Sequence, residues 1–262
     1  MKLVVCLTIA AAFVAAPLTP LFAQPAAPAS TRPTSRPADD RARANNQDPA
    51  VPDQKWLVNG QPQPRFVQKH QEFLDRAKQG PVDLLFLGDS ITEGWISKAP
   101  GVFNDAFGKY ATANFGISGD RTQHVLWRIA NGELDAIKPK LIVLMIGTNN
   151  QNLPAADIAR GVTAVVDAIR VKQPEAKVLL LAIFPRSEKP DDAVRVKLNT
   201  VNESLAKLDD ASHVFYLDIG KVFLEADGTL PKSIMPDGLH PNKEGYERWA
   251  KAIGPKVEEL MK

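Results

Sequence analysis

Val82-Asp83-Leu84-Leu85-Phe86-Leu87 runs directly into Gly88-Asp89-Ser90-Ile91. A short apolar run that stops at a glycine reads as a strand buried on both faces, the kind found in parallel sheets. Open α/β sheets hold their ligands at the carboxyl ends of the strands. Ser90 therefore stands on a rigid support at a sheet edge. A serine in such a turn is ordinarily a solvated cap. This one has a distant partner segment, Asp237-Gly238-Leu239-His240, which adds a base and a group to orient it.

The alternation repeats along the chain. Runs 113–115, 141–146, 178–183 and 214–217 read as strands beside 82–87. Phe66, Val67, His70, Phe73, Leu74 and Ala77 recur at helical spacing, and Gly80-Pro81 closes that helix. Stretches near 121–134, 155–172, 193–208 and 243–261 read as further helices. Apolar strands separated by amphipathic helices predict a three-layer α/β/α domain around a parallel sheet of about five strands.

The chain has 262 residues, a formal net charge of +2 and 44% hydrophobic residues, enough for one large domain with its own core. A near-neutral balance gives no reason to expect a nucleic acid or a polybasic membrane contact. Cys6 is the only cysteine, so no zinc-type spacing exists. Only His240 pairs with a nearby carboxylate in a motif, and no Gly-Lys-Ser/Thr follows Gly116 and Gly119, so no metal or cofactor is expected. Met1-Lys2, the apolar stretch from Leu3 to Ala16 and Leu21-Phe22-Ala23 together read as a secretory signal peptide over 1–23. The apolar stretch is shorter than the roughly 20 residues that span a bilayer. No stable membrane insertion is expected after cleavage, and a secreted or periplasmic location follows. Residues 24–53 are rich in Pro, Ala and Arg without apolar periodicity and read as a disordered linker, leaving 54–262 as the domain.

Four segments fall where strands end or a last helix begins: Gly88-Asp89-Ser90, Asn114 to Asp120, Gly147-Thr148-Asn149-Asn150, and Asp237 to Asn242. Short Gly-Asp-Ser strings arise by chance, whereas four blocks in order carry weight. The set resembles the SGNH/GDSL hydrolase superfamily, closest to the catalytic subunits of the platelet-activating-factor acetylhydrolases and to secreted bacterial relatives. Further supporting stretches are His124 to Arg128, Asn131 to Leu134 and Pro185 to Pro190. The resemblance implies a flavodoxin-like fold. It implies a nucleophile at Ser90 and an oxyanion hole built from the Ser90 and Gly119 N–H groups and the Asn149 amide.

Chemistry supports these roles separately. A serine needs a base at neutral pH, and imidazole can both take and return the proton. Asp237, three residues before His240, can fix the ring tautomer or instead cap the final helix. Gly119 can serve as a plain turn glycine before a helix capped by Asp120, and Asn149 as a turn residue after its strand. Asp89 is expected to hold the serine turn, His70 to pack, and His124 and His213 to lie on the surface. Trp95 and Trp127 can wall a pocket or fill the core, and Arg186 can reach substrate or form an ion pair. Ser118 stands where the resembled subunits have glycine, which touches substrate choice more than chemistry.

The expected function is a serine esterase for short acyl esters, acetyl above all, on a small-molecule or glycan alcohol. A lysophospholipase or thioesterase with the same residues, and a non-catalytic carbohydrate-binding envelope protein, are the alternatives. The resembled subunits form dimers, so a homodimer is one expected assembly.

Overall fold

The computed structural model describes residues 48–57 and 59–262. The expected signal peptide and most of the expected linker lie outside them. Five strands form one parallel sheet: β1 Leu84–Gly88, β2 Thr112–Gly116, β3 Leu141–Met145, β4 Lys177–Leu181 and β5 Val214–Leu217. Their order is β2-β1-β3-β4-β5, the flavodoxin-like arrangement. β1 pairs with β2 on one side and β3 on the other, so Gly88 faces both Gly116 and Met145. The sheet direction reverses its winding here, between β1 and β3. That is where open sheets place ligands.

Among the described residues seven α-helices cover the sheet: α1 Pro64–Lys78, α2 Ser90–Lys98, α3 Pro100–Phe107, α4 Thr122–Ala130, α5 Ala155–Lys172, α6 Ala193–Leu205 and α7 Lys243–Leu260. Successive strand side chains point to opposite faces. Leu85, Leu87, Ile142 and Leu144 accordingly pack with α1, α4, α5 and α6. Leu84, Phe86, Val143 and Met145 pack with α2, α3 and α7. The two apolar cores make three layers, and β1 and β3 are buried along their whole length. Trp95 is fully buried against Trp249 and Tyr246, with ring centroids 4.7 Å apart in each pair, and so fills the second core.

Several local expectations are corrected. The 121–134 helix stops at Ala130, because Asn131 closes it and Gly132 takes a positive φ of 92°. β4 ends at Leu181 rather than residue 183, since both backbone groups of Ile183 bond the Asn202 side chain at 2.9 Å and leave the ladder. The 193–208 helix tightens into a 3-10 turn over Ala206–Leu208. α2 and α3 were not expected at all. They are short, and each buries only one pair of large apolar residues, Ile91 with Trp95 and Phe103 with Phe107, too few to set a helical period against the neighbouring strands.

The linker boundary also moves. Asp48 to Asp53 was assigned to the linker, yet Pro49 is buried and its carbonyl accepts the Thr122 hydroxyl at 2.8 Å. The Asp53 N–H donates to the Gln123 carbonyl at 3.1 Å. These bonds dock the segment on α4, so its backbone groups are satisfied and it belongs to the domain.

Candidate active site

β1 delivers Ser90 to the sheet edge through a tight turn. A Cβ at Gly88 would collide with Thr92 and the Met145 carbonyl, so only glycine lets β1 lie this close to its neighbours. Asp89 is the N-cap of α2, and its Oδ1 accepts the Ile91 N–H at 2.9 Å. Ser90 is then the first residue of α2, with its backbone N–H at the positive end of the helix.

His240 arrives from the other end of the chain. Its Nε2 lies 2.8 Å from the Ser90 Oγ. Its Nδ1 lies 2.6 Å from Asp237 Oδ2. The carboxylate accepts a hydrogen bond from Nδ1–H, which fixes the ring tautomer and leaves Nε2 to accept the hydrogen bond of the serine hydroxyl. Asp237 Oδ1 accepts the N–H groups of Leu239 and His240 at 3.0 and 2.8 Å. Burial raises this carboxyl, but the bonds from the His240 ring and from the two N–H groups outweigh it and hold it at about 2. Asp237 therefore stays ionised beside the imidazole. The last helix is capped by Asn242, whose side chain accepts the Gly245 N–H at 3.0 Å, so capping does not explain Asp237. The His240 turn is fixed from two sides. The Gly238 carbonyl accepts the Ser187 N–H at 2.8 Å. The Tyr246 hydroxyl of α7 donates to the Ile91 carbonyl of α2 at 2.7 Å.

The loop after β2 brings Gly119 with φ 73°, a conformation that L residues avoid. Among the described residues, no group accepts the N–H of Ser90 or of Gly119. The Asn149 amide donates to the Asp120 carbonyl at 2.8 Å and to Asp89 Oδ2 at 3.3 Å. Its longer bond is the one a stronger acceptor would displace. Ser90, Gly119 and Asn149 thus follow β1, β2 and β3, and His240 closes the group from before α7. All five expected site residues come together at one sheet edge.

A buried ionic group underlies this edge, and the sequence did not suggest it. Arg128 is fully buried on α4. It donates to Glu133 at 2.5 and 2.7 Å, to the Phe115 carbonyl at 3.1 Å and to the Gly88 carbonyl at 3.2 Å. One guanidinium thereby ties the ends of β1 and β2. Its Nε lies 3.0 Å from Asp120 Oδ2, close enough for ionic attraction though misaligned for a hydrogen bond. Asp120 is therefore a buried ion-pair partner rather than a cap, and the N-cap of α4 is Arg121. His124 is buried too, against expectation, and its Nδ1 accepts the Arg121 N–H at 3.0 Å. Arg128→Met leaves Glu133 and Asp120 buried without this cation. The expected loss is about 3–5 kcal/mol of stability, read by urea denaturation.

Asp89 is buried as well. Burial pushes its carboxyl up from 3.8 to about 7. The folded chain thus keeps a proton on Asp89 that the unfolded chain has already lost across that range. Stability contributed at this group falls as pH rises from about 4 to 7 and is level above it. Asp89→Asn removes the slope. The melting temperature of the variant relative to the parent should climb between those pH values and then stay flat.

Other residues settle elsewhere. His70 packs with Glu133, 3.4 Å from its carboxylate. Trp127 packs on Phe66 and His70, and His213 is exposed as expected. Arg186 donates to the carbonyl and hydroxyl oxygens of Thr148 at 3.3 and 3.2 Å, beside Asn149. A groove of about 290 Å³ between α3 and α7, lined by Phe107, Tyr110 and Val257 among others, shares no residue with this site.

Residues 86–248 match the model of the GDSL-like lipase/acylhydrolase family. Over 198 residues the chain is 37% identical to platelet-activating factor acetylhydrolase IB subunit alpha2 of Homo sapiens, covering 75% of this chain and 85% of that protein. It shares its fold with a GDSL-like lipase from Bacteroides thetaiotaomicron, at a TM-score of 0.59 and 21% identity over 74% of this chain and 97% of that one. A carbohydrate acetylesterase from Sinorhizobium meliloti has the same fold, at a TM-score of 0.55 and 20% identity over 68% and 99% of the two chains.

Proposed function

The chain belongs to the GDSL-like lipase/acylhydrolase family and is a carboxylic ester hydrolase, and on that premise we propose that Ser90 is its nucleophile and that short acyl esters, acetyl above all, are its substrates. The observation that carries the reading is the continuous relay from Ser90 Oγ through His240 to Asp237, at 2.8 and 2.6 Å. Ser90 Oγ attacks the acyl carbon while its proton passes to His240 Nε2. The carbonyl electron pair moves onto oxygen, facing the Ser90 and Gly119 N–H groups and the Asn149 amide. The ester C–O bond then breaks, and the imidazolium returns the proton to the departing alcohol. Water repeats the sequence on the acyl-enzyme and releases the acid.

The acetyl preference is supported by the names of the relatives, an acetylhydrolase and a carbohydrate acetylesterase. The signal-like leader at 1–23 favours an exported enzyme and hence acetylated glycans as the alcohol side.

A fluorophosphonate probe followed by peptide mass mapping tests the nucleophile. The adduct is expected on Ser90, and an adduct elsewhere, or none, would sink the assignment. A chain-length series of p-nitrophenyl esters tests the acyl half. Activity should peak at acetate or propionate, and a peak at octanoate would remove the acetyl preference.

A further inference from the structure

Lys55 lies upstream of the residues that match the family model and outside all four sequence blocks. Its ammonium nevertheless reaches the oxyanion loop. Nζ donates to the Ser118 carbonyl at 2.7 Å and lies 3.2 Å from Asp120 Oδ1. It also sits 3.2 Å from where a Cβ on Gly119 would stand. The Ser118 carbonyl and the Gly119 N–H belong to one peptide unit. In a trans peptide these two groups point in opposite directions. A cation that fixes the carbonyl therefore aims the N–H, and polarisation along the unit makes that N–H a stronger donor.

The rest of the loop is held in the same way. The Ser118 N–H donates to Glu93 Oε2 at 2.9 Å, and Glu93 is itself paired with Arg65 at 2.5 Å. The Asp120 N–H donates to the Ile117 carbonyl at 3.1 Å, and the Asp120 carbonyl accepts Asn149 at 2.8 Å. In this bracket of partners, among the described residues, the Gly119 N–H is left without an acceptor. Neutralising Asp120 does not by itself account for Lys55. Arg128 already lies against the other carboxylate oxygen, and the shorter Lys55 bond goes to the peptide.

We infer that Lys55 is a positioning residue for ester hydrolysis, acting through the Ser118–Gly119 peptide to aim and strengthen the Gly119 N–H toward the oxyanion. The inference rests on the roles proposed above for Ser90 and Gly119. Lys55 does not touch the substrate. It acts when charge develops on the carbonyl oxygen, so it should affect the transition state more than substrate binding.

Lys55→Met, Lys55→Gln and Lys55→Arg test this with p-nitrophenyl acetate and with trifluoroacetone. That ketone forms a reversible hemiketal with an active serine: the Oγ–C bond forms, the serine proton moves to the base and the carbonyl electron pair goes to oxygen. Lys55→Met should lower kcat roughly 10- to 30-fold, less than the ~100-fold typical of losing a donor outright. KM should hardly change, and the trifluoroacetone inhibition constant should rise by the same factor as kcat falls. Lys55→Arg should restore most of both. Lys55→Gln keeps much of the bulk and should show the same paired loss if the methionine variant does not fold. An unchanged kcat, or a fallen kcat with unchanged ketone affinity, would overturn the inference. Ser90→Ala measured alongside separates the two ideas. Full activity there defeats the nucleophile assignment, whereas an inactive Ser90→Ala beside a normal Lys55→Met defeats only Lys55.

Discussion

Ser90→Ala should lower kcat on p-nitrophenyl acetate by about 10⁴- to 10⁶-fold while the protein stays folded. The substitution deletes one oxygen. That oxygen is held 2.8 Å from an imidazole which is itself held by a carboxylate. The backbone N–H of residue 90 and the Gly119 N–H remain, so weak hydrolysis by water in a prepared oxyanion hole is all that should survive. Folding should hardly change. The α2 cap is the Asp89 side chain bonding the Ile91 N–H, and neither group is altered. A melting temperature within a degree or two of the parent, together with loss of fluorophosphonate labelling, checks both halves. Parent-like turnover in a purified variant would end the serine mechanism.

His240→Ala should cost about as much in kcat, and the manner of the loss is informative. Ser90 stays, but among the described residues no side chain other than His240 is hydrogen-bonded to its Oγ to take the proton. Asp237 keeps the Leu239 and residue 240 N–H bonds that help hold it near 2, so it remains ionised and still faces the space the ring left. Imidazole added to the assay can occupy that space between a carboxylate and the serine. Partial rescue of His240→Ala by imidazole is expected, and none for Ser90→Ala. Kinetics with and without imidazole on both variants supply the check. Rescue of Ser90→Ala, or a His240→Ala enzyme with parent rates, would mean the imidazole is not the base.

The sheet was legible because its strands are continuous apolar runs. A strand buried on both faces has little choice of residue, and β1 and β3 show it plainly. Their ends then located the segments that hold Ser90, Gly119 and Asn149, since a glycine stops a strand where the backbone must turn, and the family resemblance singled out Gly119 and Asn149 within them. His240 and Asp237 were legible as a pair three residues apart. The support beneath them was not. Arg128 reads as one more charged residue in a helix, and only its position opposite the ends of β1 and β2 makes it a buried tie. Lys55 gives no local signal either, because its partner carbonyl is 63 residues away. α2 follows β1 after the single residue Asp89 and α3 follows α2 after Ala99, and each is too short, with one buried pair of large apolar residues, to show a helical period.

Ser90 and His240 are 150 residues apart, and the base precedes α7, the final helix. On a ribosome Ser90, its strand and its cap are made long before the imidazole to which it is hydrogen-bonded. A chain that stops before residue 237 contains Ser90 but neither the imidazole held 2.8 Å from it nor the α7 residues that pack against α2. Under the proposed mechanism hydrolytic competence waits on α7, whose Tyr246 hydroxyl donates to the Ile91 carbonyl.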